Sequence, residues 1–139
     1  MSAAEFLDTS VLVYAYDRRD PRKQGIAQGL VHRALDGEIA ASGQVLGEFA
    51  STLLHKLIPP VRPPDLAALL HALESISLVP LDHSVIIRAV KAHEQYGLHF
   101  YDGLIVASAE RGGCKKIWSE DLHAGQEYFG VKVENPFAP

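Results

Sequence analysis

Short apolar runs alternate with helical patterns along the whole chain, and this alternation most constrains what it can fold into. Glu5-Phe6-Leu7 reads as a first strand ending at Asp8, and Ser10 to Tyr16 as a helical turn or short helix. Pro21 to Asp36 reads as a helix, with Pro near its start and Gly37 after its end. Glu38 to Ala41 is a brief second strand. Gly43 to Leu57 is helical, because Val45, Phe49 and Leu53 share one face. Pro64 to Glu74 carries Leu66, Leu69, Leu70 and Leu73 at helical spacing. Ser77 to Pro80 reads as a strand. Asp82 caps a helix that runs to about Tyr96 and ends at Gly97. Tyr101 to Arg111 is a further helix, stopped by Gly112-Gly113. Lys115 to Trp118 reads as a strand, Leu122 to Gln126 as a helical turn, and Val131 to Val133 as a last strand. Strands separated by helices imply an α/β fold with a parallel sheet covered on both faces. Such sheets bind ligands beyond the carboxyl ends of their strands.

Asp8, Glu48, Asp102 and Asp121 each lie at an edge of a mostly apolar run. They span almost the whole chain, so only the fold can bring them together. Converging carboxylates make a site for hard divalent cations. An Asp just before a helix is also a common N-cap, which offers Asp8, Asp102, Asp121 and Asp82 a local explanation. Glu48 could simply face solvent. The neighbours favour a site. Phe100-Tyr101-Asp102-Gly103-Leu104-Ile105-Val106-Ala107 and Gly47-Glu48-Phe49-Ala50 put charges in stretches suited to a core. A charge there is costly unless it is paired or binds a metal, and the basic residues lie mostly elsewhere.

A length of 139 residues predicts one domain over 1–139. The Pro-rich stretch from Pro59 to Pro64 is too short to divide it. Cys114 is the only cysteine, so no intrachain disulfide is possible, which fits a reducing compartment such as the cytoplasm. The start, MSAAEFLDTS, lacks the basic and apolar pattern of an export signal. No run approaches the roughly 20 apolar residues a membrane span needs. Net charge is −4, unlike that of a generic nucleic-acid binder. Phosphate contacts must therefore come from local clusters: Arg18-Arg19 with Arg22-Lys23, or Lys115-Lys116. The chain has no GxxxxGK[ST] loop, GxGxxG turn, GxSxG elbow, SxxK pair or HExxH. His71 with Glu74 and Glu120 with His123 match no known ligand set.

Four strings identify a resemblance. They are Phe6-Leu7-Asp8-Thr9-Ser10-Val11-Leu12-Val13-Tyr14-Ala15-Tyr16, Gln44-Val45-Leu46-Gly47-Glu48-Phe49, Phe100 to Ala109, and Ser119-Glu120-Asp121-Leu122. With the ending from Gly125-Gln126 to Asn135-Pro136-Phe137, they resemble PIN-domain ribonucleases of the VapC toxin type, in order and over essentially the whole chain. The resemblance implies a three-layer α/β/α PIN fold with a central parallel sheet of four or five strands. It implies a metal-dependent endoribonuclease, the toxin of a type II toxin–antitoxin pair. Asp8, Glu48, Asp102 and Asp121 would bind Mg²⁺ or Mn²⁺ and serve catalysis. Thr9, Ser10 and Ser119 would support them by hydrogen bonds, and Glu120 would be a further ligand or an outer acid. Implied partners are an RNA substrate (a tRNA or an rRNA loop), a cognate antitoxin and a second copy of the chain. Gly103 stands where the family often has alanine, which loosens a helix start. His99 replaces a frequent small polar residue.

Two carboxylates about 4 Å apart repel by roughly 4 kcal/mol at an effective dielectric of 20. Four together should raise one another's pKa values, and a divalent ion would relieve this. Two alternatives stand beside a ribonuclease: a non-catalytic PIN-fold module that binds RNA or protein, and a metal phosphatase or nuclease acting on DNA or small phosphoesters.

Overall fold

The computed structural model describes residues 3–139; Met1 and Ser2, the first residues of the expected domain and of the stretch read for an export signal, lie outside the described residues. In chain order the elements are β1 (Glu5–Leu7), α1 (Thr9–Tyr14), α2 (Pro21–Leu35), β2 (Ile39–Ser42), α3 (Gly43–His55) and α4 (Pro63–Ala72). There follow β3 (Leu78–Val79), α5 (His83–Tyr96), α6 (Phe100–Arg111), β4 (Lys116–Trp118), β5 (Glu127–Tyr128) and β6 (Val131–Glu134). Helices flank a six-stranded sheet of order β3-β2-β1-β4-β6-β5, giving three layers, α/β/α. Five strands run parallel, as expected, and β5 adds a short antiparallel edge.

Strand order reverses at β1. The chain leaves it for β2 and β3 on one side, then returns to β4 and β6 on the other. The crevice at such a reversal is where open α/β sheets place ligands. Central strands must be apolar on both faces, and Phe6, Leu7, Ile39 and Ile117 are fully buried. The expected helices form with ends shifted by a residue or two. Asp20, Ser42 and Asp82 cap α2, α3 and α5 by accepting the backbone N–H of Lys23, Val45 and Val85. Gly97, at φ 70°, ends α5 in the left-handed conformation that glycine adopts freely.

Two expectations are corrected. Residues 122–126 form no helical turn: the Ser119 hydroxyl accepts the N–H groups of Asp121 and Leu122, and Gly125 N–H already bonds Val133 O. Strand β5 escapes a pattern search because it is two residues long. Its hairpin turn is Phe129-Gly130, both at positive φ (52° and 78°). That conformation suits a two-residue hairpin, but Phe is an unusual occupant. Tyr96 Oη accepts Phe129 N–H at 2.9 Å and holds it there.

Gly103 also acts differently from expectation. A Cβ at this position would stand 2.9 Å from Ala89 O and 3.3 Å from Ala92 Cβ. The missing side chain lets α6 lie close against α5, rather than merely loosening the start of α6.

Candidate active site

The four acids arrive from four elements. Asp8 directly follows β1, and Asp121 lies three residues beyond β4. Leu7 pairs in register with Trp118, so the ends of these strands are neighbours. Asp8 N–H bonds Trp118 O at 3.0 Å, and Ser119 Oγ donates to Asp8 Oδ2 at 2.6 Å. Ser42 ends β2 and caps α3, which carries Glu48 in its second turn. Asp102 sits in the first turn of α6. All four line one open cleft of about 410 Å³, together with Thr9, Ser10, Tyr14, Gln44 and Glu120.

The N-cap explanation therefore holds for Asp8, which accepts Thr9 N–H at 2.7 Å, and for Asp82. It fails for Asp102, because His99 caps α6, and for Asp121, which precedes no helix. Glu48 is half-buried, not simply solvated. Its Oε1 accepts the Thr9 hydroxyl at 2.7 Å and its Oε2 the Gln44 amide at 3.3 Å. Ser10 supports the site indirectly, since its hydroxyl accepts Glu120 N–H at 3.4 Å.

No Lys or Arg pairs with Asp8, Glu48, Asp102 or Asp121 among the described residues. Their proximity shows in their titration. Burial pushes the Asp8 carboxyl up to about 6, against the hydrogen bonds from Ser119 and Thr9, and the charges of Asp121 and Asp102 add to the rise. Burial also raises Asp102; His99 opposes this and Glu48 adds to it. Asp121 is raised by burial, then by Glu120, Asp102 and Glu48.

Glu120 is spoken for. It forms an ion pair with Lys23 and accepts the Tyr14 hydroxyl at 2.9 Å. Its charge is balanced inside the protein, unlike that of the four acids. Tyr14 was not legible as a site residue, and Lys23, read as a possible phosphate contact, instead pairs with Glu120; both act through that acid from about a hundred positions away. Gln44 was legible in principle: Gln44, Glu48, Thr52 and Lys56 recur every four residues and all line the cleft. Of the basic clusters, Arg19 reaches the cleft, whereas Lys115 and Lys116 lie at the opposite end of β4. His71, in the last turn of α4, and Glu74, just beyond it, form only an exposed pair.

The donor set suits a hard cation: every acid offers oxygen, and the charge is unbalanced. As the side chains stand, no three Asp, Glu, His or Cys groups among the described residues are placed to hold one ion. Asp8 and Glu48 are tied by hydrogen bonds, but no side-chain partner holds the Asp102 or Asp121 carboxylate among the described residues.

Sheet order and cleft define the class: an α/β domain with an acidic crevice where the strand order reverses. Within that class the PIN domain matches residues 6–126, and the chain belongs to the PIN family. Solved structures with this fold include a toxin–antitoxin complex from Klebsiella pneumoniae, at 15% identity over 96% of this chain and 98% of that one, with a TM-score of 0.69. Another is VapC20 of Mycobacterium tuberculosis, a sarcin–ricin loop cleaving toxin, at 19% identity over 84% and 91%, with a TM-score of 0.65. A third is FitAcB of Neisseria gonorrhoeae, at 18% identity over 96% and 98%, with a TM-score of 0.64. Comparison with curated proteins gives no match.

Proposed function

We propose that residues 1–139 form one PIN domain that acts as a metal-dependent endoribonuclease, the toxin of a type II toxin–antitoxin pair. The observation that carries this reading is the cleft itself: four carboxylates from four separate elements share it with no basic partner among the described residues. Asp8, Glu48, Asp102 and Asp121 would hold Mg²⁺ or Mn²⁺. When bound, such an ion stabilises charge on a phosphoryl oxygen and acidifies a water. Ser119 and Thr9 fix the Asp8 carboxylate. Thr9 and Gln44 fix Glu48. These bonds hold two acids in place before an ion arrives and lower the cost of assembling the site.

The similar folds of toxin–antitoxin proteins support an antitoxin partner, and VapC20, a sarcin–ricin loop cleaving toxin, supports an RNA target; a tRNA or an rRNA loop is the target of this reading. A homodimer and a cytoplasmic location belong to the same reading. No helix among the described residues is long and apolar enough to cross a membrane.

The test combines two measurements. Millimolar Mn²⁺ should raise the melting temperature of the wild type, since an ion present at about 100 times its Kd stabilises the folded state by about 2.7 kcal/mol. RNA cleavage should require the ion and fall at least about 100-fold in Asp102→Asn. Binding of RNA with no cleavage in either protein would favour a non-catalytic module instead. An equal Mn²⁺ shift in wild type and Asp8→Asn would remove the ion from this cleft.

A further inference from the structure

A second concavity of about 350 Å³ adjoins the acidic cleft and shares Asp17 and Arg19 with it. Its remaining lining is Tyr16 and Arg18 on one side, and the 57–61 loop on the other. That loop is pinned at both ends: Leu57 N–H bonds Thr52 O, and Val61 N–H bonds Leu53 O. Between the pins, Ile58 is 78% exposed, the most exposed large hydrophobic residue of the described chain. Ile58 therefore stands free at the rim of the cavity, where its side chain can cover an occupant.

Arg19 marks the boundary between the two cavities, and its position is fixed. Asp17 is 7% exposed and accepts Arg19 Nε at 3.0 Å, Arg19 Nη2 at 2.9 Å and the Arg19 backbone N–H at 3.0 Å. The Asp17 carboxyl is held below its ordinary range by these bonds. A buried acid thus orients one exposed guanidinium toward the mouth of an acidic cleft, and leaves Nη1 without a partner among the described residues. With its Nε–Nη2 fork on Asp17, Arg19 offers Nη1 to a phosphate. Arg18, exposed beside it, has no ion pair among the described residues.

Charge and shape together select the occupant. The acidic cleft repels phosphate, whereas the adjoining cavity offers the unpaired Arg18, the Nη1 of Arg19 beside Asp17, and apolar walls. That pairing matches one nucleotide, with its phosphate on the arginines and its base against Tyr16 and Ile58. A base reaches a concavity only when it is unstacked, so the strand must be single. We propose that this cavity is a nucleotide subsite for the residue next to the scissile bond of a single-stranded RNA. Arg19 holds the intervening phosphate and Ile58 covers the base. This proposal rests on the nuclease reading above.

The probe is a fluorescein-labelled single-stranded oligoribonucleotide, titrated by anisotropy against Asp102→Asn protein in Mn²⁺ at several salt concentrations. In that background, Arg19→Gln should weaken binding about 10-fold and flatten the log–log salt slope by about 0.7, the value for one lost contact to a single strand. Ile58→Ser should weaken binding at least about 5-fold and leave the slope unchanged. Lys91→Gln, on the exposed face of α5, should change neither. Arg19→Gln also strips Asp17 of its partner, so Ile58→Ser, an exposed change, carries the test if Arg19→Gln fails to fold. Binding by Ile58→Ser within twofold of its background would overturn the proposal, as would absence of oligonucleotide binding by the background itself. A wild type that cleaves RNA while the Ile58→Ser chain keeps an unchanged KM defeats the subsite alone. A wild type that binds through Arg19 and Ile58 but never cleaves keeps the subsite and defeats the nuclease reading.

Discussion

Asp8 gives the most direct measure of the cleft's unbalanced charge. The residue is 5% exposed, and burial pushes its carboxyl up to about 6 from an ordinary 3.8. In the metal-free protein above pH 7 the folded state holds this group ionised at a cost of about 3 kcal/mol. The sign follows from the raised value. The protonated folded state is fully favoured below about 3.8, and that advantage is lost as pH rises through about 6. Asp8→Asn removes the charge, so at pH 8 it recovers about 3 kcal/mol, while at pH 4 it recovers only about 0.6 kcal/mol. Asparagine has a cost of its own. Its amide would face Ser119 Oγ, which already accepts two N–H groups. Losing that bond costs about 1 kcal/mol. The variant should therefore be about 2 kcal/mol more stable than wild type at pH 8 and slightly less stable at pH 4. The gap of about 2.4 kcal/mol between the two pH values does not depend on the hydrogen-bond correction. Urea denaturation in EDTA at both pH values measures it. A variant destabilised by the same amount at pH 4 and pH 8 would refute the reasoning, because Asp8 would then carry no ionisation cost.

Two further substitutions test the supporting structure. Gly103→Ala should lower stability by about 1–3 kcal/mol in urea, because close packing on Ala89 outweighs a helix-propensity gain of about 1 kcal/mol; an increase in stability would contradict the close approach of α5 and α6. Lys23→Met should cost more in the wild type than in a Glu120→Gln background, so that a double-mutant cycle shows a coupling between the two positions; zero coupling would mean that the pair does not hold Glu120.

The alternation of strands and helices was legible because central parallel strands must be apolar throughout and helices must show a stripe. Phe6-Leu7, Ile39 and Val45-Phe49-Leu53 satisfy those demands and are fully buried. The hairpin was not legible, because Tyr96 stabilises Phe129 at positive φ from 33 residues away. The four acids stood out because each lies at an edge of a mostly apolar run, and Glu48 and Asp102 fall inside stretches suited to a core. The basic residues followed no such rule. Lys23 and Arg19 belong to one local cluster, yet Lys23 neutralises Glu120 while Arg19 points to the cleft from an anchor on Asp17. Nothing in the order of these residues separates the two roles, because the acid that binds each is chosen by the fold.

Partners also differ among the acids, and this difference bears on how an ion would be taken up. Asp8 and Glu48 each have both oxygens engaged, by Thr9, Ser119 and Gln44. Asp102 and Asp121 have no such bonds among the described residues, though each feels the charge of the other acids. Mutual repulsion keeps free carboxylates apart when no cation lies between them. The four like charges are therefore held unequally: two acids by hydrogen bonds, and two with none among the described residues. Fixing all four in ligating positions would add several kcal/mol of repulsion to a fold whose whole stability is about 5–15 kcal/mol. Leaving the Asp102 and Asp121 carboxylates without hydrogen bonds avoids building that cost into the fold.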